Sequence, residues 1–146
     1  MKDAKDDLHG YYFEDLKEGM TASFGKTITE SDIYTFAGVS GDLNPVHVND
    51  EFAKTTMFKG RIAHGMIGAA FISAVLGTKL PGPGCIYVKQ ELKFKAPVKI
   101  GDTLIAHVTI KKLNAEKKFV ECETVCTVGD KKVIDGEAVV MVPARG

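Results

Sequence analysis

Leu104, Ala106, Val108 and Ile110 alternate with Thr103, Ile105, His107 and Thr109, the two-residue period of a strand with one face turned to a core. Val120, Cys122, Cys126 and Val128 repeat that period, as do Ile134, Ala138, Val140 and Val142. Asn114 to Lys117 and Gly129-Asp130 carry hairpin-turn residues between these runs. Upstream, Pro81-Gly82-Pro83-Gly84 interrupts the chain before a strand-like run from Cys85 to Phe94, and Thr21 to Thr29 reads as an earlier strand. Four consecutive strands joined by short turns predict an antiparallel sheet, to which the early strand adds a fifth.

The helical patterns lie between the first strand and the rest. Thr29 or Ser31 can N-cap a helix running through Ile33, Phe36 and Ala37, with Glu30 and Asp32 in its first turn and Gly38 and Gly41 at its end. Asn49 or Asp50 can cap a second, short helix from Glu51 to Thr56. A third, His64 to Gly77, has no broad polar face, so it is expected to be buried nearly all round. Its small residues Gly65, Gly68, Ala69 and Ala70 allow a neighbour to approach the backbone closely. One antiparallel sheet wrapped around one buried helix is an α+β architecture. A single curved sheet leaves part of such a helix uncovered, which predicts a homodimer in which a second copy covers the remainder.

Composition narrows the class of function. The 146 residues suit one domain, placed at 11–146, with a charged, frayed extension over 1–10. Lys plus Arg and Asp plus Glu number 19 each, so net charge points to neither nucleic acid nor a membrane surface. The apolar run from Ile62 to Gly77 falls short of the ~18–20 residues that span a bilayer. The first residues carry no apolar signal region, and Cys85, Cys122 and Cys126 form no CxxC pair, so a reducing, cytoplasmic setting is expected. Cys122 and Cys126 share one strand face, where a buried thiol acts as a small hydrophobe.

Candidate chemistry gathers in Ser40-Gly41-Asp42-Leu43-Asn44-Pro45-Val46-His47-Val48-Asn49-Asp50. Pro45 fixes its own φ and pushes Asn44 toward an extended conformation, while Gly41 permits a tight turn. Two readings fit the spacing of Asp42 and His47. In one, the carboxylate caps turn amides and the imidazole packs; in the other, the pair exchanges protons near neutral pH as a general acid–base couple. Asp42, His47 and His64 do not share a recognised ligand spacing, so no metal is expected. Gly65 opens the buried helix. It serves either tight packing or a bare helix-start amide that hydrogen-bonds a carbonyl oxygen as charge builds on it. Ser73, a lone hydroxyl, either bonds back to its own helix or lines a polar pocket. GxSxG, P-loop and dinucleotide motifs are absent, and His9 and His107 have no acidic partner at telling spacing.

Taken together, "SGDLNPVHVND", "GRIAHGMIGAAFISAVLG" and "LPGPGCIYVKQELKFKAPVKIGDTL" resemble the MaoC-like, (R)-specific enoyl-CoA hydratases from about Phe13 to Val142. The resemblance implies a hot-dog fold and reversible hydration of a trans-2-enoyl-CoA to an (R)-3-hydroxyacyl-CoA, with no cofactor. It implies that Asp42 and His47 act on the water, that the Gly65 amide binds the thioester carbonyl, and that Ser73 has a supporting polar role. The working assignment makes Asp42 the base and His47 the proton donor, with exchange of the two left open. An acyl-carrier-protein thioester would present the same pantetheine arm as coenzyme A. Lys89, Lys93, Lys95 and Lys99 are candidate phosphate contacts, and Phe36, Met57, Phe71 and Leu76 candidate residues for the acyl-pocket floor. The competing functions are a hot-dog thioesterase and a non-catalytic acyl-CoA-binding domain.

Overall fold

A computed structural model describes residues 7–146. Five antiparallel strands form one sheet in the order β1-β3-β4-β5-β2: β1 (Thr21–Thr27), β2 (Ile86–Phe94), β3 (Thr103–Asn114), β4 (Phe119–Val128) and β5 (Lys131–Met141). The expected alternation holds on β3, where Leu104, Ala106, Val108 and Ile110 are all buried. On β4 the buried set is Val120, Cys122, Thr124 and Cys126, the Thr124 hydroxyl being satisfied by the Gln90 side-chain amide at 2.9 Å. On β5 the adjacent Val133 and Ile134 are both buried, because the register slips opposite Cys126 and Thr127 and the extra residue turns inward.

Four helices fill the span between β1 and β2. In α1 (Glu30–Ser40), the Thr29 hydroxyl accepts from the Asp32 amide at 3.1 Å and the Asp32 carboxylate from the Thr29 amide at 2.9 Å, a reciprocal cap. Gly41 ends α1 in the left-handed region at φ 78°, whereas Gly38 is simply internal. The stretch expected to be a stiffened loop instead holds one helical turn, α2 (Pro45–Val48). Asn44 is extended as expected, but its side chain caps the Val46 amide at 3.1 Å, and Pro45 takes the first helical position, where its missing N–H costs nothing. Asn49 caps α3 (Asp50–Lys54), and His64 precedes α4 (Gly65–Thr78).

The long helix α4 lies chiefly across β3, with β1 and β4 beside it. Ile67, Ile72, Val75 and Leu76 face the sheet and are buried. Gly68 makes that approach possible, since a Cβ there would collide with the Ile134 side chain. The expectation of burial all round fails within one chain. Met66, Ala70, Ser73 and Gly77 form an exposed stripe, because one sheet covers one side of a helix only. Beside the stripe, the edge strand β2 exposes Ile86, Val88 and Phe94, each about half accessible.

The extension expected to be frayed over 1–10 lies outside the described residues as far as Asp6. Beyond it, the Gly10 amide bonds the Pro83 carbonyl at 2.8 Å, and His9 stacks on Tyr12 at 4.1 Å. His107 is a strand residue held between the Ser23 and Thr127 hydroxyls. Cys122 and Cys126 are buried, and burial pushes both thiols up to about 12, which leaves them without thiolate chemistry.

Candidate active site

Two chain segments meet at the start of α4, the α1–α3 connection carrying Asp42 and His47, and the strand-like approach Arg61 to His64. They are joined by backbone, since the Ile62 amide donates to the Val46 carbonyl at 3.2 Å, and Ala63 is tied to Val98 at 2.7 Å. Arg61 adds a side-chain clamp. Its guanidinium bonds Glu30 at 2.7 Å, Asp50 at 2.6 Å and the Tyr34 hydroxyl at 3.3 Å, linking α1, α3 and the approach to α4. Nothing local in the sequence announces this clamp, because its two acids lie 31 and 11 residues away.

His47 is buried at 8% exposure, and its Nδ1 lies 2.7 Å from the Ile62 carbonyl oxygen. A carbonyl only accepts, so Nδ1 carries the hydrogen and Nε2 presents its lone pair. Burial is the main influence on this ring and holds its pKa below the ordinary 6.5; nearby His64 acts in the same direction, while the Ile62 hydrogen bond and Asp42 oppose it. The resting ring is therefore neutral at pH 7, with a free acceptor nitrogen.

Asp42 sits on exposed backbone. Its carboxylate accepts from the Asn44 amide at 3.2 Å, a turn contact of the kind the packing reading anticipated. The carboxylate also lies within 4.8 Å of ring nitrogens of both His47 and His64. The two rings stack with centroids 3.8 Å apart and planes 29° from parallel. His64, which sequence reasoning weighed only as a weak metal ligand, is thus part of the cluster; its buried position at a helix start was the available signal.

The rings border a cavity of about 510 Å³ also lined by Gly65, Phe58, Phe94, Leu104 and Ile134. Gly65 is the first residue of α4, and its N–H has no partner among the described residues. Both readings of this glycine have support, for a Cβ there would come within 2.7 Å of the Phe94 ring. Of the residues expected at the acyl-pocket floor, only Met57 lines this cavity; Gly68, Val98, Leu104 and Ile134 close it instead. Ser73 lies elsewhere. It faces a second hollow with Phe36, Ala69, Ala70 and Leu92, and its hydroxyl makes no hydrogen bond among the described residues, so it does not bond back to its helix. Of the four lysines considered for phosphate contact, Lys95 borders the first cavity, and Lys99 reaches the Phe58 carbonyl on its rim at 3.5 Å.

The chain matches known proteins over most of its length. The family model for a MaoC like domain matches residues 14–135. The chain is 68% identical over 141 residues to the (R)-specific enoyl-CoA hydratase of Rhodospirillum rubrum, covering 97% of this chain and 98% of that protein. It is 48% identical to the 3-hydroxybutyryl-CoA dehydratase of Methylorubrum extorquens, covering 95% and 88% of the two chains. Its structure superposes on the unliganded R-hydratase PhaJ1 of Pseudomonas aeruginosa with a TM-score of 0.86 at 44% identity, covering 92% and 86% of the two chains. A family match over most of its length, a relative 68% identical across nearly all of both chains and a shared hot-dog fold make this chain a member of the MaoC-like domain family.

Proposed function

We propose that the protein is an (R)-specific enoyl-CoA hydratase, adding water reversibly across the double bond of a trans-2-enoyl-CoA to give an (R)-3-hydroxyacyl-CoA. The observation that carries this reading is the pairing, on one cavity, of a His47 Nε2 and a Gly65 N–H that both lack partners among the described residues. A thioester oxygen accepting from Gly65 leaves C3 electron-poor and gives the enolate oxygen a donor as charge develops on it.

The water's oxygen bonds to C3, and one of its protons passes to His47 Nε2. That proton then moves to C2 as the enolate collapses, which returns the ring to its neutral form and balances the addition of H and OH. Asp42 accepts the water's second hydrogen and aims its lone pair at C3. His47 keeps the donor role expected from the sequence and takes over the base role expected of Asp42. The reason is the lowered pKa of His47, which supplies an acceptor nitrogen rather than a resting proton donor.

Lys95 and Lys99 at the cavity rim support recognition of the phosphates of coenzyme A. The half-exposed apolar residues of β2 and the open stripe of α4 support a homodimer in which a second copy covers them. The three free thiols fit a reducing, cytoplasmic setting, and no helix among the described residues is long and apolar enough to cross a membrane.

Incubation with trans-2-butenoyl-CoA tests the proposal. Loss of the enoyl absorbance without thiol release, with (R)-3-hydroxybutyryl-CoA as product, is expected. Stoichiometric thiol release would establish a thioesterase, and tight binding without turnover a non-catalytic acyl-CoA-binding domain.

A further inference from the structure

His64 has no role in the proton transfers above, yet it is the most enclosed polar side chain of the cluster, 3% exposed. Its ring lies against His47 at 3.8 Å and against Phe36 at 4.9 Å. Nε2 is 2.8 Å from the Asp42 carbonyl oxygen, so that nitrogen carries the hydrogen. Nδ1 is buried with no partner among the described residues. An unsatisfied buried polar atom is destabilising, and a phenylalanine would fill the same space without one. Packing alone does not account for an imidazole here.

The connection around Asp42 explains what the ring holds. Residues 40–45 are all exposed, and their other hydrogen bonds are local. The Gly41 amide bonds Ala37, the Leu43 amide bonds Gly41, the Asp42 amide bonds the Ser40 hydroxyl, and the Asn44 amide bonds the Asp42 carboxylate. Among the described residues, the bond from His64 is the one long-range hydrogen bond reaching residues 41–43. It is matched by the bond from His47 to Ile62, so each segment's imidazole donates to the other segment's carbonyl, and the two rings stack between them.

We propose that His64 is a positioning residue, whose Nε2–H fixes the Asp42 main chain against the start of α4 and so holds the carboxylate over the water at His47. This rests on the hydratase reading. Because His64 adjoins Gly65, the same bond sets the distance between the groups acting at C3 and the amide that grips the thioester oxygen.

Three variants separate the hydrogen bond from the packing. His64→Gln and His64→Met have nearly the same shape, and only the first keeps an N–H in reach of the Asp42 carbonyl; His64→Phe keeps a ring and loses the donor. Each is checked by circular dichroism and melting, then assayed for hydration of trans-2-butenoyl-CoA beside the wild type. The Met and Phe variants are expected to lose on the order of 10–100-fold in kcat with KM changed less than about twofold, and Gln to recover to within about threefold of wild type, since misplacement by an ångström costs rate rather than affinity. If Met does not fold, Phe supplies the comparison. Wild-type kcat in Met or Phe, a Gln variant no better than they are, or a loss confined to KM would overturn the proposal. A wild-type protein that hydrates no enoyl-CoA would defeat the hydratase reading itself, and that control tells the two failures apart.

Discussion

Two hollows of similar size lie along α4, about 510 Å³ at its start and about 590 Å³ along its outer face. Apolar residues dominate both, and Met66 and Phe94 contribute to each. Size therefore does not identify the site. The polar atoms differ. In the outer hollow they are largely spent on one another: the Tyr87 hydroxyl donates to Gln90, whose amide in turn donates to Thr124 and to the Glu91 and Glu137 carbonyls. At the helix start, His47 Nε2 and the Gly65 N–H are left unpaired among the described residues, beside an apolar wall. Convergent, unpaired polar atoms in an apolar hollow suit a reacting ligand. A hollow whose polar atoms, the Ser73 hydroxyl apart, are already paired, flanked by exposed aliphatic side chains, suits a covering surface.

If that contrast holds, substitutions in the first hollow remove chemistry and those in the second affect association. The largest effect is expected from Asp42→Asn and His47→Gln, each lowering kcat for hydration by on the order of 10²–10⁴-fold while the variants remain folded. The double variant should lose little more than the worse single one, because the pair acts on one water. Gly65 comes next. Alanine and proline both place a Cβ against Phe94, but only proline deletes the N–H, and the first helical position behind an extended His64 (ψ 131°) tolerates it. Relative to Gly65→Ala, Gly65→Pro is expected to lose about 10²–10³-fold in kcat, the usual value of an oxyanion donor. Equal rates for the two would remove the amide from the chemistry.

In the second hollow, Ala70→Arg puts a cation into the exposed apolar stripe, and light scattering should then report a monomer where a dimer is expected of the wild type. A wild-type monomer would refute the covering role. Ser73→Ala should be mildest, with less than about a tenfold loss in kcat, or about 1.4 kcal/mol in the barrier. A loss as large as that of Asp42→Asn would bring the outer hollow into the reaction.

The sheet was legible because alternation is a local signal: Leu104 to Ile110 declares its inward face residue by residue. Helix starts were legible for the same reason, Thr29 and Asn49 both capping as their side chains suggest. The turn at Pro45 was misread, since proline stiffens a loop and opens a helix with the same φ. The open stripe of α4 escaped a composition argument because Met66, Ala70 and Ser73 do not contrast in polarity with the buried face. Asp42, His47 and Gly65 were singled out by spacing and by family likeness. The stacking of His64 on His47 and the Arg61 clamp depend on segments brought together only by the fold.

The pH dependence of kcat/KM for enoyl-CoA hydration tests the central claim most directly, namely that His47 takes the water's proton through a free Nε2. A base must be unprotonated to act, and burial keeps this imidazole unprotonated to lower pH than usual. The expected profile is level near pH 7 and falls on acidification with a midpoint below 6.5. Activity that instead rises as the pH is lowered through that range, or an acid limb centred above 6.5, would contradict it.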